Sequence, residues 1–132
     1  MKNIKSLIML LAFTALTTAC DGYGKKLSFD KTEVYYTNGV SKLEAQNLGK
    51  YLISSGFADG NAKSVKLSRD KENNRYQFRM VTNEKAIKDS SYNFIFQLMA
   101  SQISDSVFNG EPVDFHICDN TFKTVREIKF KN

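Results

Sequence analysis

The chain has little of the material from which catalytic and metal centres are usually built. It holds one histidine, His116, two cysteines, Cys20 and Cys118, one proline, Pro112, and no tryptophan. A metal centre needs three or four converging ligands, and a lone imidazole supplies one of them. With its two cysteines the chain is not a disulfide-stapled scaffold. A glycine-rich phosphate loop, a G-x-S-x-G elbow and a C-x-x-C pair are also missing, so neither metal nor cofactor is expected. No apolar run reaches the roughly 20 residues of a membrane-spanning helix. Charge is an equally thin signal, with 19 Lys and Arg against 14 Asp and Glu and no basic stripe. Nucleic acid is therefore not an expected partner.

What is present begins at the amino terminus. Lys2 and Lys5 precede the apolar block Leu7 to Phe13, and small residues follow at Thr17, Thr18 and Ala19. Charged, apolar and small-residue parts in that order make residues 1–19 a secretory signal. The run Leu16-Thr17-Thr18-Ala19-Cys20 resembles the lipobox of bacterial lipoproteins, with its leucine one position further from the cysteine than in the commonest pattern. The resemblance implies a diacylated Cys20 as the first mature residue, hence export and a lipid anchor, palmitate-like in chemistry, in a membrane of the cell envelope. A plain secretory signal cut after Ala19 fits the same residues, because Thr17 and Ala19 also satisfy a small-x-small rule. Residues 20–26 then read as the lipidated cysteine and a flexible, glycine-containing tether. With Cys20 acylated, Cys118 has no partner in the chain; with Cys20 free, a Cys20–Cys118 disulfide becomes possible.

Residues 27–132 are of a length that suits one domain with one core. Two helices announce themselves. Ser41 and Glu44 form a capping box ahead of Ala45, Leu48 and Leu52, and Gly56 ends that helix after about 13 residues. The second begins near Ser90 or Ser91, carries Tyr92, Ile95, Phe96, Met99, Ile103 and Val107 along one stripe, and stops at Asn109-Gly110. Alternating runs at 33–37, 63–68, 75–82, 113–118 and 123–130 read as strands, with turns at 70–74 and 119–121, and Leu27 and Phe29 suggest a leading strand. The expected fold is α+β, two helices on one face of a mostly antiparallel sheet of about five strands. That order resembles a ferredoxin-like domain with an extra C-terminal strand. The segments EVYYTNGVSKLEAQNLGKYLISSGFADG and VFNGEPVDFHICD also resemble a small recurring bacterial domain, which implies no activity.

Alternation sorts the strands into two faces. Val65, Leu67, Tyr76, Phe78, Met80, Val113, Phe115 and Ile117 belong under the helices. Lys66, Gln77, Arg79, Asp114, His116 and Cys118 share the other face, expected to be open to solvent and to be the candidate binding surface. Asp114, His116 and Cys118 are the one set of chemistry-bearing neighbours, yet side chains along a single strand run parallel instead of converging. Of Tyr35 and Tyr36, one should pack inward and the other cover its neighbour strand. The basic residues Lys63, Lys66, Arg69, Lys71, Arg75 and Arg79 gather around one hairpin, a solvated edge or a surface for an anionic partner. The expected function is a non-enzymatic, lipid-anchored cell-envelope module that binds or interacts with an unknown ligand, another envelope protein being one possible partner. The alternative is a small envelope hydrolase or thiol-dependent enzyme using Cys118 and His116.

Overall fold

A computed structural model describes residues 23–37 and 39–131. The secretory signal, the lipobox-like residues and Cys20 lie outside the described residues. The elements are β1 (Lys25–Phe29), β2 (Thr32–Tyr36), α1 (Lys42–Ser54), β3 (Lys63–Asp70), β4 (Arg75–Val81), α2 (Glu84–Lys88), a 3-10 turn (Ser90–Tyr92), α3 (Asn93–Val107), β5 (Val113–Cys118) and β6 (Thr124–Ile128). β1 therefore begins at Lys25, within the stretch read as tether.

The local signals behave as their chemistry requires. The Ser41 hydroxyl accepts from the Glu44 N–H at 3.1 Å, while the Glu44 carboxylate accepts from the Ser41 N–H at 2.9 Å. This reciprocal pair satisfies two of the donors that a helix start leaves unpaired. α1 buries Ala45, Leu48, Gly49 and Leu52. Gly49 is required by close approach: a Cβ there would fall 2.2 Å from the Phe29 ring of β1. Tyr76 extends from β4 to donate its hydroxyl to Glu44, tying the helix cap to the sheet.

The sheet departs from the expected one. It has six strands in the order β1-β2-β3-β4-β5-β6, with β1·β2, β3·β4 and β5·β6 antiparallel and β2·β3 and β4·β5 parallel. The sheet is thus mixed, and the ferredoxin-like order is corrected to strict chain order. The physical reason lies in the hairpins. β1 already occupies one edge of β2, and the crossover through α1 brings β3 parallel to the other edge. The β3–β4 hairpin then repeats the arrangement for β5. Each parallel step needs a helical crossover, whereas each antiparallel step needs only a tight turn. The leading strand is real because Asp30 and Lys31 both take positive φ, 49° and 67°, as a two-residue hairpin turn demands.

Among the described residues three helices replace the expected two. The added one, α2, is capped by Asn83, whose side chain accepts from the Ala86 N–H at 3.0 Å. The buried stripe of α3 is Phe96, Ala100, Ile103 and Ser104. Ile95, expected in the core, is 56% exposed. A small residue and a hydroxyl take the inward positions because Ser104 donates to the Glu111 carbonyl at 2.6 Å, satisfying its polar group inside. No helix among the described residues is long and apolar enough to cross a membrane.

The core lies between the helices and the sheet face that alternation assigns to them. Val34, Val65, Leu67, Phe78, Val113, Phe115 and Ile117 are fully buried there. Phe115 is its centre, stacked on Phe96 of α3 at 4.8 Å and tilted against Phe78 at 5.3 Å. Phe78→Ala and Phe115→Ala should each cost about 3–5 kcal/mol in denaturant unfolding. Unfolding midpoints unchanged by both substitutions would reverse the assignment of the faces.

Candidate functional site

Strand register builds the surface. Lys66 of β3 lies opposite Arg79 of β4, Arg79 opposite His116 of β5, and His116 opposite Glu127 of β6. A second row runs Ser68, Gln77, Asp114, and a third brings Val81, Cys118 and Thr124 together. The six residues singled out by alternation, Lys66, Gln77, Arg79, Asp114, His116 and Cys118, therefore share the sheet face away from the helices.

That face is not uniformly solvated. All of β5 is buried, with Asp114 3%, His116 5% and Cys118 0% exposed. Long polar side chains of the flanking strands close over it. Arg75 grips Asp114 with both arms of its guanidinium, Nε donating to Oδ2 at 2.8 Å and Nη2 to Oδ1 at 2.6 Å. The Phe130 N–H adds a third donor to Oδ1 at 2.9 Å. Burial pushes the Asp114 carboxyl upward, but Arg75 and the Phe130 N–H outweigh it and hold the group below its usual range.

Thr124 joins the rest. Its hydroxyl accepts from Arg79 Nη1 at 2.7 Å and lies 3.0 Å from His116 Nδ1 and 4.0 Å from Cys118 Sγ. Arg79 also donates to Gln77 at 3.2 Å, and Ser68 donates to the same Gln77 oxygen at 3.0 Å. Sequence reasoning did not find Thr124. A register irregularity between Ile117 and Cys118 sets Thr124 opposite Cys118, and a bulge of this kind leaves no compositional trace.

This arrangement does not activate the thiol. Burial raises the Cys118 pKa, against smaller opposing effects of Thr124 and Arg79. The thiol donates to the His116 backbone carbonyl at 3.6 Å. Burial, then the Arg79 charge, lowers the His116 pKa, which keeps the ring neutral. The ring is bonded to Thr124 and not to Cys118, so it is not placed to take the thiol proton. Among the described residues His116 Nε2 has no hydrogen-bond partner, and it lies 3.8 Å from Glu127. Among the described residues, no group of three or more His, Cys, Asp or Glu is placed to hold a metal ion.

Lys66 sits in the same row, where burial, and then Arg79, lower its pKa. Above it is an aromatic cluster of Tyr23, Tyr35 and Phe122, packed edge to face with centroids 5.1–5.6 Å apart. Lys66 Nζ is 5.9 Å from the Tyr23 ring. Tyr35 covers this face, while Tyr36 is buried on the other. Phe122 comes from the β5–β6 connection, so that loop folds back over the sheet.

The helix layer presents the opposite chemistry. Phe94, Ile95 and Leu98 of α3 are 72%, 56% and 50% exposed. Phe94 and Leu98 border a recess of about 160 Å³ completed by Ala100, Ile128 and Phe130 and flanked by Lys129 and Lys131. Sequence reasoning missed this surface. A helix carrying apolar residues over more than one face gives no sign of which face the sheet will cover.

The Arg75–Asp114 pair gives a pH-dependent outcome. Because the folded-state carboxyl titrates below the unfolded one, its stabilisation is present above about pH 4 and is lost as pH falls through the lower folded value. Arg75→Ala should cost roughly 1–3 kcal/mol at neutral pH by removing two of the three donors. It should also move the onset of acid unfolding to higher pH. Acid-unfolding curves that superimpose for wild type and variant would show that the pair contributes nothing.

Comparison with known proteins adds kinship without activity. An uncharacterized protein of Archaeoglobus fulgidus is 28% identical over an alignment 138 positions long, which takes in 99% of this chain and 56% of the relative. The chain thus spans little more than half of that relative's length. No solved structure matches the chain. Residues 26–129 match the model of a family's N-terminal domain, described as AF_1994_N, and both segments that resemble a recurring small domain fall inside the match. The chain belongs to the AF_1994_N family, whose N-terminal domain it contains.

Proposed function

We propose that this protein is a non-enzymatic interaction module of the cell envelope, exported and anchored through a lipid on Cys20, that binds another envelope protein. The single observation that carries the binding reading is the exposure of Phe94, Ile95 and Leu98 together on α3. Contiguous large apolar side chains left in water mark interaction sites on soluble domains. The paired, buried state of Asp114, His116 and Cys118 supports the non-enzymatic reading, since a catalytic thiol needs an accessible, electropositive setting that lowers its pKa.

The anchor is read from the LTTAC run and the signal before it. Two acyl chains hold a protein stably at a membrane where one chain is marginal. Cys20→Ser in the native host should therefore move the protein from the membrane fraction to the soluble fraction. An unmodified Cys20 in the wild-type chain, seen by mass spectrometry, would leave plain secretion.

The binding reading is tested by comparative capture from envelope extract. Wild-type protein and Cys118→Ser should retain the same partner, and Leu98→Asp should lose it. Cys118 should resist alkylation at neutral pH until the protein is unfolded. Loss of a measured activity in a folded Cys118→Ser variant would overturn the non-enzymatic reading.

A further inference from the structure

Tyr23 and Gly24 are fixed to the sheet more firmly than a tether requires. Tyr23 packs edge to face on Tyr35 and Phe122, with centroids 5.6 and 5.1 Å apart, on the face away from the helices. Gly24 follows with φ 97°, and a Cβ there would fall 2.5 Å from the Tyr36 carbonyl oxygen. Glycine alone fits so close an approach at that φ. Phe122 meets Tyr23 from a left-handed conformation, φ 63°, which is uncommon for a bulky residue and has to be offset by packing. Phe122 is buried beneath the cluster, and Tyr23, 37% exposed, forms its outer surface. The place at which the chain enters the domain is therefore set. Cys20 lies three residues before Tyr23, and three residues span at most about 11 Å. A domain of roughly 100 residues has a radius of gyration of about 13 Å. So short a connection cannot pass around the domain to its other layer.

We infer that the domain rests on its membrane through the sheet face carrying Tyr23, Tyr35 and Phe122, with lipid headgroups as the partner of that surface, and that Phe94, Ile95 and Leu98 of α3 are turned away from the bilayer. This rests on the lipid-anchor reading and adds an orientation to it. An anchored Cys20 is held at the headgroups, and the Tyr23 backbone stays within about 11 Å of it. The surface suits that place. Tyrosine offers an apolar ring and a polar tip, which is why it collects where hydrocarbon meets water. Lys66 Nζ lies 5.9 Å from the Tyr23 ring, on a stem that can reach toward phosphate. Two carboxylates beside the cluster are met within the protein. Glu33 accepts from the Tyr35 hydroxyl at 2.8 Å and from Lys26 at 3.4 Å, and Asp119 accepts from the Thr121 and Lys123 N–H groups at 2.9 and 3.1 Å. The α3 patch lies beyond the sheet, in the helix layer. It is left to face a partner on the side away from the membrane.

The chain has no tryptophan, so a single introduced indole reports its own position. Tyr23→Trp and Leu98→Trp are made as full-length protein in the native host and reconstituted into phosphatidylglycerol vesicles with brominated acyl chains, which quench an indole at the bilayer. Tyr23→Trp should lose most of its fluorescence, and Leu98→Trp should keep it. Lys26→Trp, opposite Tyr35 in the register, replaces the first reporter if Tyr23→Trp alters the circular dichroism spectrum. Equal quenching of the two reporters, or quenching of Leu98→Trp alone, overturns the orientation and spares the anchor. So does the absence of quenching in both while the protein floats with the vesicles. A wild-type chain with an unmodified Cys20 that does not float would remove the anchor and the orientation together.

Discussion

A carboxylate buried within a sheet has to be met by donors, and Asp114 imposes that demand on this fold. β5 is covered on both faces, so the charge at its second position cannot be solvated in place. The fork of Arg75 answers from β4, and the Phe130 N–H answers from the segment after β6. The pair thus connects three neighbouring stretches of chain on the face that the helices do not reach. An uncompensated charge in that position would be strongly destabilising. The same closing of long polar side chains over β5 also removes Cys118 and His116 from solvent. The burial of the Cys118 thiol and the pairing of Asp114 therefore belong to one covering layer of side chains.

Much of the fold is legible in the residues because it depends on local chemistry. The capping box of Ser41 and Glu44, the glycine stop at Gly56 and the two-residue alternation of β3, β4 and β5 all act within a few positions of themselves. Alternation also assigns the faces, which is why Phe78 and Phe115 are core and Gln77 and Arg79 are not. What escapes reading is set by contacts distant in sequence. Asp30 and Lys31 lack the glycine or asparagine that usually marks a two-residue hairpin, so β1 gives only a faint signal. Parallel and antiparallel neighbours share the same side-chain period, so alternation cannot say which strands lie side by side. The choice depends on how the hairpins and crossovers pack together, which is a property of the assembled sheet.

The candidate surfaces divide in the same way. Membership of the polar face follows from alternation, but its burial over β5 does not, because burial depends on how Arg75, Arg79 and Thr124 reach across strands. Thr124 reaches its central place through a register irregularity beside Cys118. On α3, apolar residues occupy more of the circumference than the sheet can cover. Size alone favours Ile95 as core. The fold places Ala100 and Ser104 inward instead, where small volume and an internal hydrogen bond suit the closer approach of helix and sheet.

Strand order that follows chain order has a consequence for how such a domain can grow. Every strand joins the sheet beside the one made just before it, and no strand is inserted between two others. The architecture therefore proceeds by accretion: hairpin, helix, hairpin, helix, hairpin, each unit added to a finished edge. Contacts between successive elements keep loop closures short, which favours rapid folding over topologies that pair distant strands. Both open edges, β1 and β6, are the first and last strands of the domain. Polypeptide added beyond either end, as in a longer relative, can extend the sheet or cover an edge without threading through what is already built.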